Sequence, residues 1–167
     1  YRFYCIEPGI LYRSGALTKH GTLEEMRALL ERHKIRTVVN LVPQDAGSPS
    51  EWYRQEREAV SGAGAKLVDI PILKSGDPSA AQADAFVSLL RDPGNRPVLV
   101  HCSKGEVRTG ALVGVYLMAF RGMDSEKAFR LVNFNGSLEE GGQVHRFLRA
   151  YKPPRLAAEK KSPTDAH

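Results

Sequence analysis

Cysteine is scarce in this chain, and long apolar runs are missing from it. Only Cys5 and Cys102 occur, and two residues so far apart do not make a disulfide framework. The longest apolar run lies in a helix predicted after Thr109 and is about half as long as a membrane span requires. Histidine and cysteine nowhere show metal-ligand spacing. These absences argue against a disulfide-stapled scaffold, a metal site and a membrane span within these residues.

The charge of the chain is only mildly basic. Lys and Arg number 24 against 19 Asp and Glu, a net charge of +5 that favours anionic substrates and surfaces. No basic stripe is interleaved with aromatic residues, so we do not expect nucleic acid as a partner. The chain has no internal repeats, and its 167 residues fit one domain with one sizeable core. We expect residues 1–151 to form that domain and the polar residues 152–167 to form a disordered tail.

Alternating signals for strands and helices predict an α/β fold. Thr22 and Glu25 belong to a capping box that starts a helix at Leu23, whereas Ser48 and Pro49 predict the N-cap and first turn of the next helix. Because strands alternate with helices, we expect a central, largely parallel sheet flanked by helices on both faces. The predicted strands cover 10–13, 37–42, 67–72 and 98–102, and the predicted helices cover 23–33, 49–60, 79–90, 108–120, 125–132 and 141–151.

The most informative stretch is the apolar strand 98–102 and the loop that follows it. The strand ends in His101 and Cys102, five residues follow, and Arg108 and Thr109 then open a largely apolar helix. Such a loop before a helix N-terminus is an anion cradle, because its amides lack partners and the helix dipole adds positive potential. The same field would stabilise a Cys102 thiolate, and Arg108 can hold two oxygens of a tetrahedral anion. The stretch therefore predicts thiolate attack on a phosphate monoester.

The arrangement of His101, Cys102, five residues, Arg108 and Thr109 resembles the signature of the cysteine-dependent protein tyrosine phosphatases. The chain looks most like their compact dual-specificity branch, and the resemblance runs from the string LYRSG at 11–15 to the last helix. It implies a tyrosine-phosphatase-like α/β fold and a phosphomonoester hydrolase that forms a phosphocysteine intermediate and needs no cofactor. The implied partners are a phosphorylated protein, with phosphotyrosine favoured, or a small phosphomonoester.

Phosphoryl transfer assigns expected roles to the residues of this loop. Cys102 would be the nucleophile, and Arg108 would bind the phosphoryl oxygens and stabilise the transition state. Thr109 can donate a hydrogen bond to the sulfur. His101 would either orient the loop, which is the role that the resemblance implies, or act directly in catalysis. The residues expected to bind substrate, chiefly through their amides, are Ser103, Lys104, Gly105, Glu106, Val107 and Arg108.

A general acid must protonate the leaving group, and four aspartates are candidates for this role. Asp69 lies within a predicted strand, Asp84 within a helix and Asp92 in a turn before a buried strand. Asp77 lies in a glycine-containing loop, which could close over the cradle, and the resemblance also places the acid on a loop before the nucleophile. We therefore predict Asp77 as the acid and keep Asp69 as the alternative. Asp77 precedes Pro78, so an N-cap role is the competing interpretation.

Three other points stay open from the sequence. Arg13 in LYRSG either braces loops near the active site or is a surface cation. Within the loop, Lys104 suits an inositol phosphate, whereas Glu106 weakens the case for a highly phosphorylated one. The competing functions are an inositol phosphate or phosphoinositide phosphatase with the same mechanism, a phosphate-binding module without turnover and, ranked low, a rhodanese-like sulfurtransferase. The low-molecular-weight phosphatase branch is excluded, because its loop lies near the N-terminus.

The compartment is only weakly constrained. A catalytic thiol is easiest to keep in a reducing environment, which favours the cytoplasm. The chain begins with Tyr1 instead of Met, so we expect that an upstream segment was removed: a signal peptide, an anchor or disordered residues. A periplasmic or membrane-anchored location is the alternative if that segment was a signal or an anchor.

Overall fold

The computed structural model describes residues 3–74 and 77–154. Its five strands form one sheet in the order β1-β2-β5-β3-β4. The strand β1 (Tyr4–Glu7) runs antiparallel to β2 (Leu11–Gly15), and the other neighbouring pairs are parallel. The remaining strands are β3 (Thr37–Asn40), β4 (Lys66–Asp69) and β5 (Val98–Cys102). The predicted α/β fold with a largely parallel sheet is confirmed.

Helices cover both faces of this sheet, as predicted. Side chains alternate between the faces along a strand, so Val98 and Val100 of β5 join one apolar cluster and Leu99 joins the other. Phe86, Leu112 and Leu148, from three helices, pack into the first cluster. The helices within the described residues are α1 (Leu17–His20), α2 (Leu23–Arg32), α3 (Glu51–Gly62), α4 (Ala80–Arg91), α5 (Val107–Arg121), α6 (Ser125–Val132) and α7 (Gln143–Ala150). The second cluster includes residues of α2 and α3.

The predicted capping box at the start of α2 is confirmed. The hydroxyl oxygen of Thr22 accepts a hydrogen bond from the backbone N–H of Glu25 at 3.1 Å, and the Glu25 carboxylate accepts from the N–H of Thr22 at 2.9 Å. The predicted N-cap of the next helix is wrong by two residues. Ser48 belongs to a turn in which its N–H donates to the carbonyl of Asp45, and the N-cap of α3 is Ser50.

The start of α4 decides one of the interpretations of Asp77. Ser79 is the N-cap of this helix and forms a full capping box with Gln82, with hydrogen bonds of 3.1 and 2.8 Å. Asp77 therefore lies two residues before the cap, and its interpretation as an N-cap is wrong. Serine followed by glutamine at N3 satisfies two amide donors at once, which a preceding aspartate cannot match.

Two short elements near the N-terminus are absent from the sequence prediction. The edge strand β1 has the sequence YCIE, which carries no alternating apolar pattern, and α1 is a single turn. At the other end, the expected disordered tail falls almost entirely on residues 155–167, which lie outside the described residues. No helix of the described residues is long and apolar enough to cross a membrane.

Candidate active site

The candidate site lies at the carboxyl end of the central strand β5. Parallel pairing aligns Gly15 of β2 with Cys102, and Asn40 of β3 with His101. The ends of these strands consequently meet at one edge of the sheet, where α/β proteins commonly bind ligands. The loop 103–106 leaves this edge and enters α5 at Val107. The predicted succession of strand, loop and helix N-terminus is confirmed.

The close approach of the loop to β2 explains the glycine in its centre. Gly105 has a φ of +74°, and a Cβ built there would lie 2.7 Å from the amide nitrogen of Gly15 and still closer to the carbonyl of Ser14. Only glycine adopts this backbone without strain and leaves the space that β2 occupies. The amide of Ala16 donates to the carbonyl of Ser103 at 3.2 Å, which fixes the start of the loop to the same strand segment.

Arg13 braces the loop from behind, so its interpretation as a surface cation is wrong. The side chain is only 4% exposed, and its Nη2 donates to the carbonyl of Gly105 at 2.6 Å. Its Nη1 donates to the carbonyl of Val132 at 3.4 Å, and the guanidinium lies over the ring of Phe134 at 5.7 Å from the centroid. Arg13 thereby ties the centre of the loop to the end of α6.

The surroundings of Cys102 favour the thiolate. The residue is 3% exposed, and this burial raises the pKa of the thiol. Donors outweigh burial: the hydroxyl and amide of Thr109, the charge of Arg108 and the amide of Gly105 bring the pKa below its ordinary value. Thr109 is fully buried, and the hydrogen bond from its hydroxyl to the sulfur is the largest of the contributions that lower the pKa of Cys102.

The guanidinium of Arg108 is held at the same edge of the sheet. The residue is 8% exposed, and its Nη1 donates to the carbonyls of Ile72 at 3.3 Å and Leu41 at 3.5 Å. These carbonyls follow β4 and β3, so two neighbouring strands orient the side chain. Nη2 and Nε of Arg108 donate no hydrogen bond to the residues that the structure describes. Those two nitrogens form one edge of the guanidinium fork, which can bind two oxygens of an anion.

His101 pairs with a residue that sequence reasoning missed. Its Nε2 lies 2.8 Å from Oε1 of Glu56 on α3, and both side chains are buried. The two residues are far apart in sequence, and a glutamate on an amphipathic helix looks like a solvated charge. No local pattern could have identified this contact.

The structure separates the four candidate acids. Asp84 accepts a hydrogen bond from the hydroxyl of Tyr151 at 2.7 Å, and Asp92 caps a turn by accepting from the amide of Gly94 at 2.8 Å. Asp77 is exposed, and no hydrogen bond of its carboxylate is found within 3–74 and 77–154.

Asp69, the alternative acid, is held by hydrogen bonds on both oxygens. Asn40 donates to Oδ1 at 2.8 Å, and the hydroxyl of Tyr53 donates to Oδ2 at 2.5 Å. Burial and this bond to Asp69 raise the pKa of Tyr53 to about 12, so the phenol keeps its proton at neutral pH. Asp69 therefore acts as a fixed acceptor, which is unlike the movable donor that the reaction needs.

The remaining loop residues form the rim of the cradle. Lys104 and Val107 are exposed, Ser103 and Glu106 are half-buried, and the amide of Gly110 donates to the carbonyl of Glu106 at 2.6 Å. This bond is the first regular hydrogen bond of α5, so the amides before Gly110 are not used by the helix.

A family described as DSP-PTPase phosphatase fused to NAD+ kinase matches residues 8–149 of the chain. Inositol diphosphatase SIW14 of Saccharomyces cerevisiae is 26% identical over 110 residues, which are 64% of this chain and 36% of the relative. Dual specificity protein phosphatase TpbA of Pseudomonas aeruginosa is 25% identical over 138 residues, which are 81% of this chain and 59% of the relative. The chain thus spans between 36% and 59% of the length of these relatives.

Solved structures share the fold. The core catalytic domain of the PP-IP phosphatase SIW14 from S. cerevisiae, in complex with citrate, matches with a TM-score of 0.70 at 21% identity. The match covers 90% of this chain and 85% of that one. A cysteine-to-serine variant of P. aeruginosa TpbA in complex with phosphotyrosine matches with a TM-score of 0.63 at 24% identity, covering 89% and 81%. Likeness at these identities concerns the fold alone.

Proposed function

Because the chain belongs to the family described as DSP-PTPase phosphatase fused to NAD+ kinase, we propose that it hydrolyses phosphate monoesters as a protein tyrosine or dual-specificity phosphatase. One observation carries the proposal. Cys102, with its pKa lowered by Thr109, Arg108 and Gly105, stands at a helix N-terminus beside the unpaired edge of the Arg108 guanidinium. A stabilised thiolate and a bidentate cation at one anion cradle are what phosphocysteine chemistry requires.

The reaction follows in two steps from this arrangement. The Cys102 thiolate attacks phosphorus, the bond to the leaving oxygen breaks, and Asp77 gives its proton to that oxygen. Water then attacks the phosphocysteine, Asp77 takes the proton back, and inorganic phosphate leaves with regeneration of the thiolate. Arg108 and the amides of 103–108 bind the equatorial oxygens throughout. His101 supports the loop, and Thr109 stabilises the sulfur as it leaves.

Phosphoprotein is the proposed substrate, with phosphotyrosine favoured. Among the loop residues Ser103 to Val107, Lys104 is the one cation and Glu106 is an anion, so the rim offers little extra attraction to a highly phosphorylated ligand. TpbA, which matches 81% of the chain, is named a dual specificity protein phosphatase. The second candidate is an inositol phosphate substrate, since the relative SIW14 is named an inositol diphosphatase.

The test of the mechanism is the Cys102→Ser variant. Serine stays protonated where cysteine ionises, so this variant should lose all measurable turnover of a small aryl phosphate while it still binds inorganic phosphate. Cys5→Ser, on the exposed edge strand β1, is the matched control and should keep full activity. Activity that a chelator abolishes, or normal turnover by the Cys102→Ser variant, would refute the covalent mechanism.

The test of substrate class is a panel of phosphotyrosine peptides, phosphoserine peptides and inositol phosphates. We expect the highest kcat/KM with phosphotyrosine peptides. Faster turnover of inositol phosphates would favour the second candidate. Binding of all three without turnover would instead identify a phosphate-binding module.

A further inference from the structure

A buried ion pair beside the nucleophile has no role in the chemistry described so far. Glu56 of α3 is 0% exposed and His101 of β5 is 1% exposed, and 2.8 Å separates Oε1 from Nε2. Neither oxygen of Glu56 has another polar partner among the described residues. His101 is therefore the one group found to compensate this carboxylate.

Stability alone does not account for such a pair. Removing two charges from water costs several kcal/mol for each, and well-packed apolar side chains of the same volume often stabilise a fold at least as well. Glu56 lies one turn before Val60 on α3, and His101 lies two residues after Leu99 on β5; Val60 and Leu99 both belong to the apolar cluster that includes residues of α3. A specific role for the charge is the remaining explanation.

The position of His101 connects the pair to Cys102. The His101 strand segment is fixed on both sides, by pairing with Ser14 of β2 and Asn40 of β3, and its carbonyl accepts from the amide of Leu41 at 2.9 Å. Burial lowers the pKa of His101, but the charge of Glu56 and its hydrogen bond, together with Cys102, outweigh burial and raise it. These contacts consequently favour the imidazolium form of the residue that precedes Cys102.

The other ionisable groups around the pair sharpen this assignment. Tyr53, on the same helix, interacts with Glu56 and keeps its own proton to about pH 12. On the far side, the charges that act with Cys102 are Arg108 of α5 and Arg13 of β2. Glu56 is therefore the anion that faces His101, and its loss should release the His101 proton.

We propose that Glu56 is a positioning residue of the active site, which holds the imidazolium charge of His101 beside Cys102 and so keeps the Cys102 thiol ionised at neutral pH. The catalytic meaning of this role rests on the proposed function. The effect itself is on an ionisation equilibrium, and it can be measured without any turnover.

The first experiment uses the unaltered protein. The ring protons and nitrogens of His101, followed by NMR against pH, should show a doubly protonated ring at neutral pH, because the pKa of this ring is raised above the ordinary histidine value of about 6.5. A ring that is neutral at about pH 7 would overturn the proposal. This measurement does not depend on the folding of any variant.

The second experiment measures the rate of Cys102 alkylation by iodoacetamide against pH. Glu56→Gln should raise the apparent pKa of the thiol by about one unit, so that alkylation slows roughly tenfold at pH values well below the wild-type pKa and does not change at about pH 10. Glu56→Asp should restore part of the rate, because it keeps the charge. Glu58→Gln, an exposed position on the same helix, is the matched control and should alkylate like the wild type.

A folded Glu56→Gln protein with a wild-type alkylation profile would overturn the proposal. Folding is checked by circular dichroism and thermal unfolding, and a variant that does not fold leaves the decision to the NMR titration. Failure of the proposed function can be distinguished from failure of this proposal. If the wild-type protein hydrolysed no phosphate monoester, the NMR titration of His101 and the alkylation profiles of Cys102 would still give the results expected here.

Discussion

The two halves of the proposed active site are built in opposite ways. In the cradle, Cys102 and Arg108 are 3% and 8% exposed, and neighbouring strands hold both through backbone contacts. In the loop that carries the proposed acid, Leu73 is 71% exposed, and Asp77 is exposed without a hydrogen bond among the described residues.

This difference follows from what each half has to do. The cradle must present fixed dipoles and charges to a developing trianionic centre, and such groups act best when they are oriented before substrate arrives. A proton donor must instead exchange its proton with water between turnovers, so an open position suits it. A substitution in the cradle should therefore lower the turnover of every substrate by a similar factor. A substitution of the acid should lower turnover by a factor that depends on the leaving group.

The largest effect short of complete loss is expected for Arg108→Lys. Lysine keeps the charge but lacks the fork, so we expect kcat/KM to fall about 10³-fold for phosphotyrosine and for an activated aryl phosphate alike. The inhibition constant of vanadate should rise in parallel. Arg36→Lys, an exposed position near the opposite end of β3, is the control. Retention of activity within tenfold of wild type would break the claim that the fork is required.

Asp77→Asn should have the next largest effect, and it should be selective. A phenol or alcohol leaves poorly as an anion, so kcat for phosphotyrosine should fall about 10²-fold, but much less for an aryl phosphate with a leaving group of low pKa. The alkaline limb of the pH–rate profile, which reports loss of the acid's proton, should flatten. Asp92→Asn, which keeps its turn cap, is the control.

Because Ser79 caps α4, a loss of activity in the Asp77→Asn protein cannot come from an uncapped helix. An unchanged phosphotyrosine rate and pH profile would remove Asp77 from the mechanism. Asp69→Asn and Glu106→Gln would then be the variants to measure.

The sequence predicted the cradle and offered Arg13 as its brace, but it did not predict Glu56, for a physical reason. Strand β5, the loop and α5 are contiguous, so the apolar run, Gly105 and the Cys102–Arg108 spacing all appear in one short window. Glu56 acts across the sheet from another helix, and its contact with His101 depends on how α3 packs. Nothing in the local sequence encodes that distance.

The same reasoning explains the errors at helix starts. Both Ser48-Pro-Ser and Asp77-Pro-Ser offer two candidate caps, two residues apart. In α4 the choice was decided by Gln82, which completes a capping box only with Ser79. In α3, Ser48 belongs to the turn at Asp45, and the helix begins after Ser50, whose hydroxyl donates to the side-chain oxygen of Gln44 and does not cap the helix. Competition between neighbouring caps is settled by these contacts, not by residue type.

Arg13→Lys tests whether the cradle owes its rigidity to the bracing contact. A lysine ammonium cannot reach the carbonyls of both Gly105 and Val132 in the planar geometry of the guanidinium. We expect vanadate affinity and kcat/KM to fall about tenfold on all substrates, with no change of leaving-group dependence. Arg130→Lys, on the exposed side of α6, should behave like wild type. An unaltered affinity in a folded Arg13→Lys protein would show that the loop holds its shape without the brace.

The smallest effect is expected for Thr109→Val, which removes one donor to the Cys102 sulfur with little change of shape. Losing a hydrogen bond to the charged form raises the thiol pKa, so alkylation of Cys102 should slow several-fold at about pH 6 and match wild type at about pH 10. Thr109→Ser keeps the hydroxyl and is the matched control.

The sign of the accompanying stability change can be worked out. The pKa of Cys102 in the folded protein lies below 9.0, the ordinary value for a cysteine in the unfolded chain. Its ionisation therefore stabilises the fold fully above about pH 9, and this contribution is lost as pH falls through the lowered pKa. Thr109→Val raises the folded pKa of Cys102 toward the unfolded value and so reduces this stabilisation. As pH rises from about 5 to about 9, the Tm of the wild type should therefore increase more than the Tm of the variant. Equal gains for both proteins, with equal alkylation profiles, would show that the hydroxyl does not act on the sulfur and that the amides and Arg108 suffice.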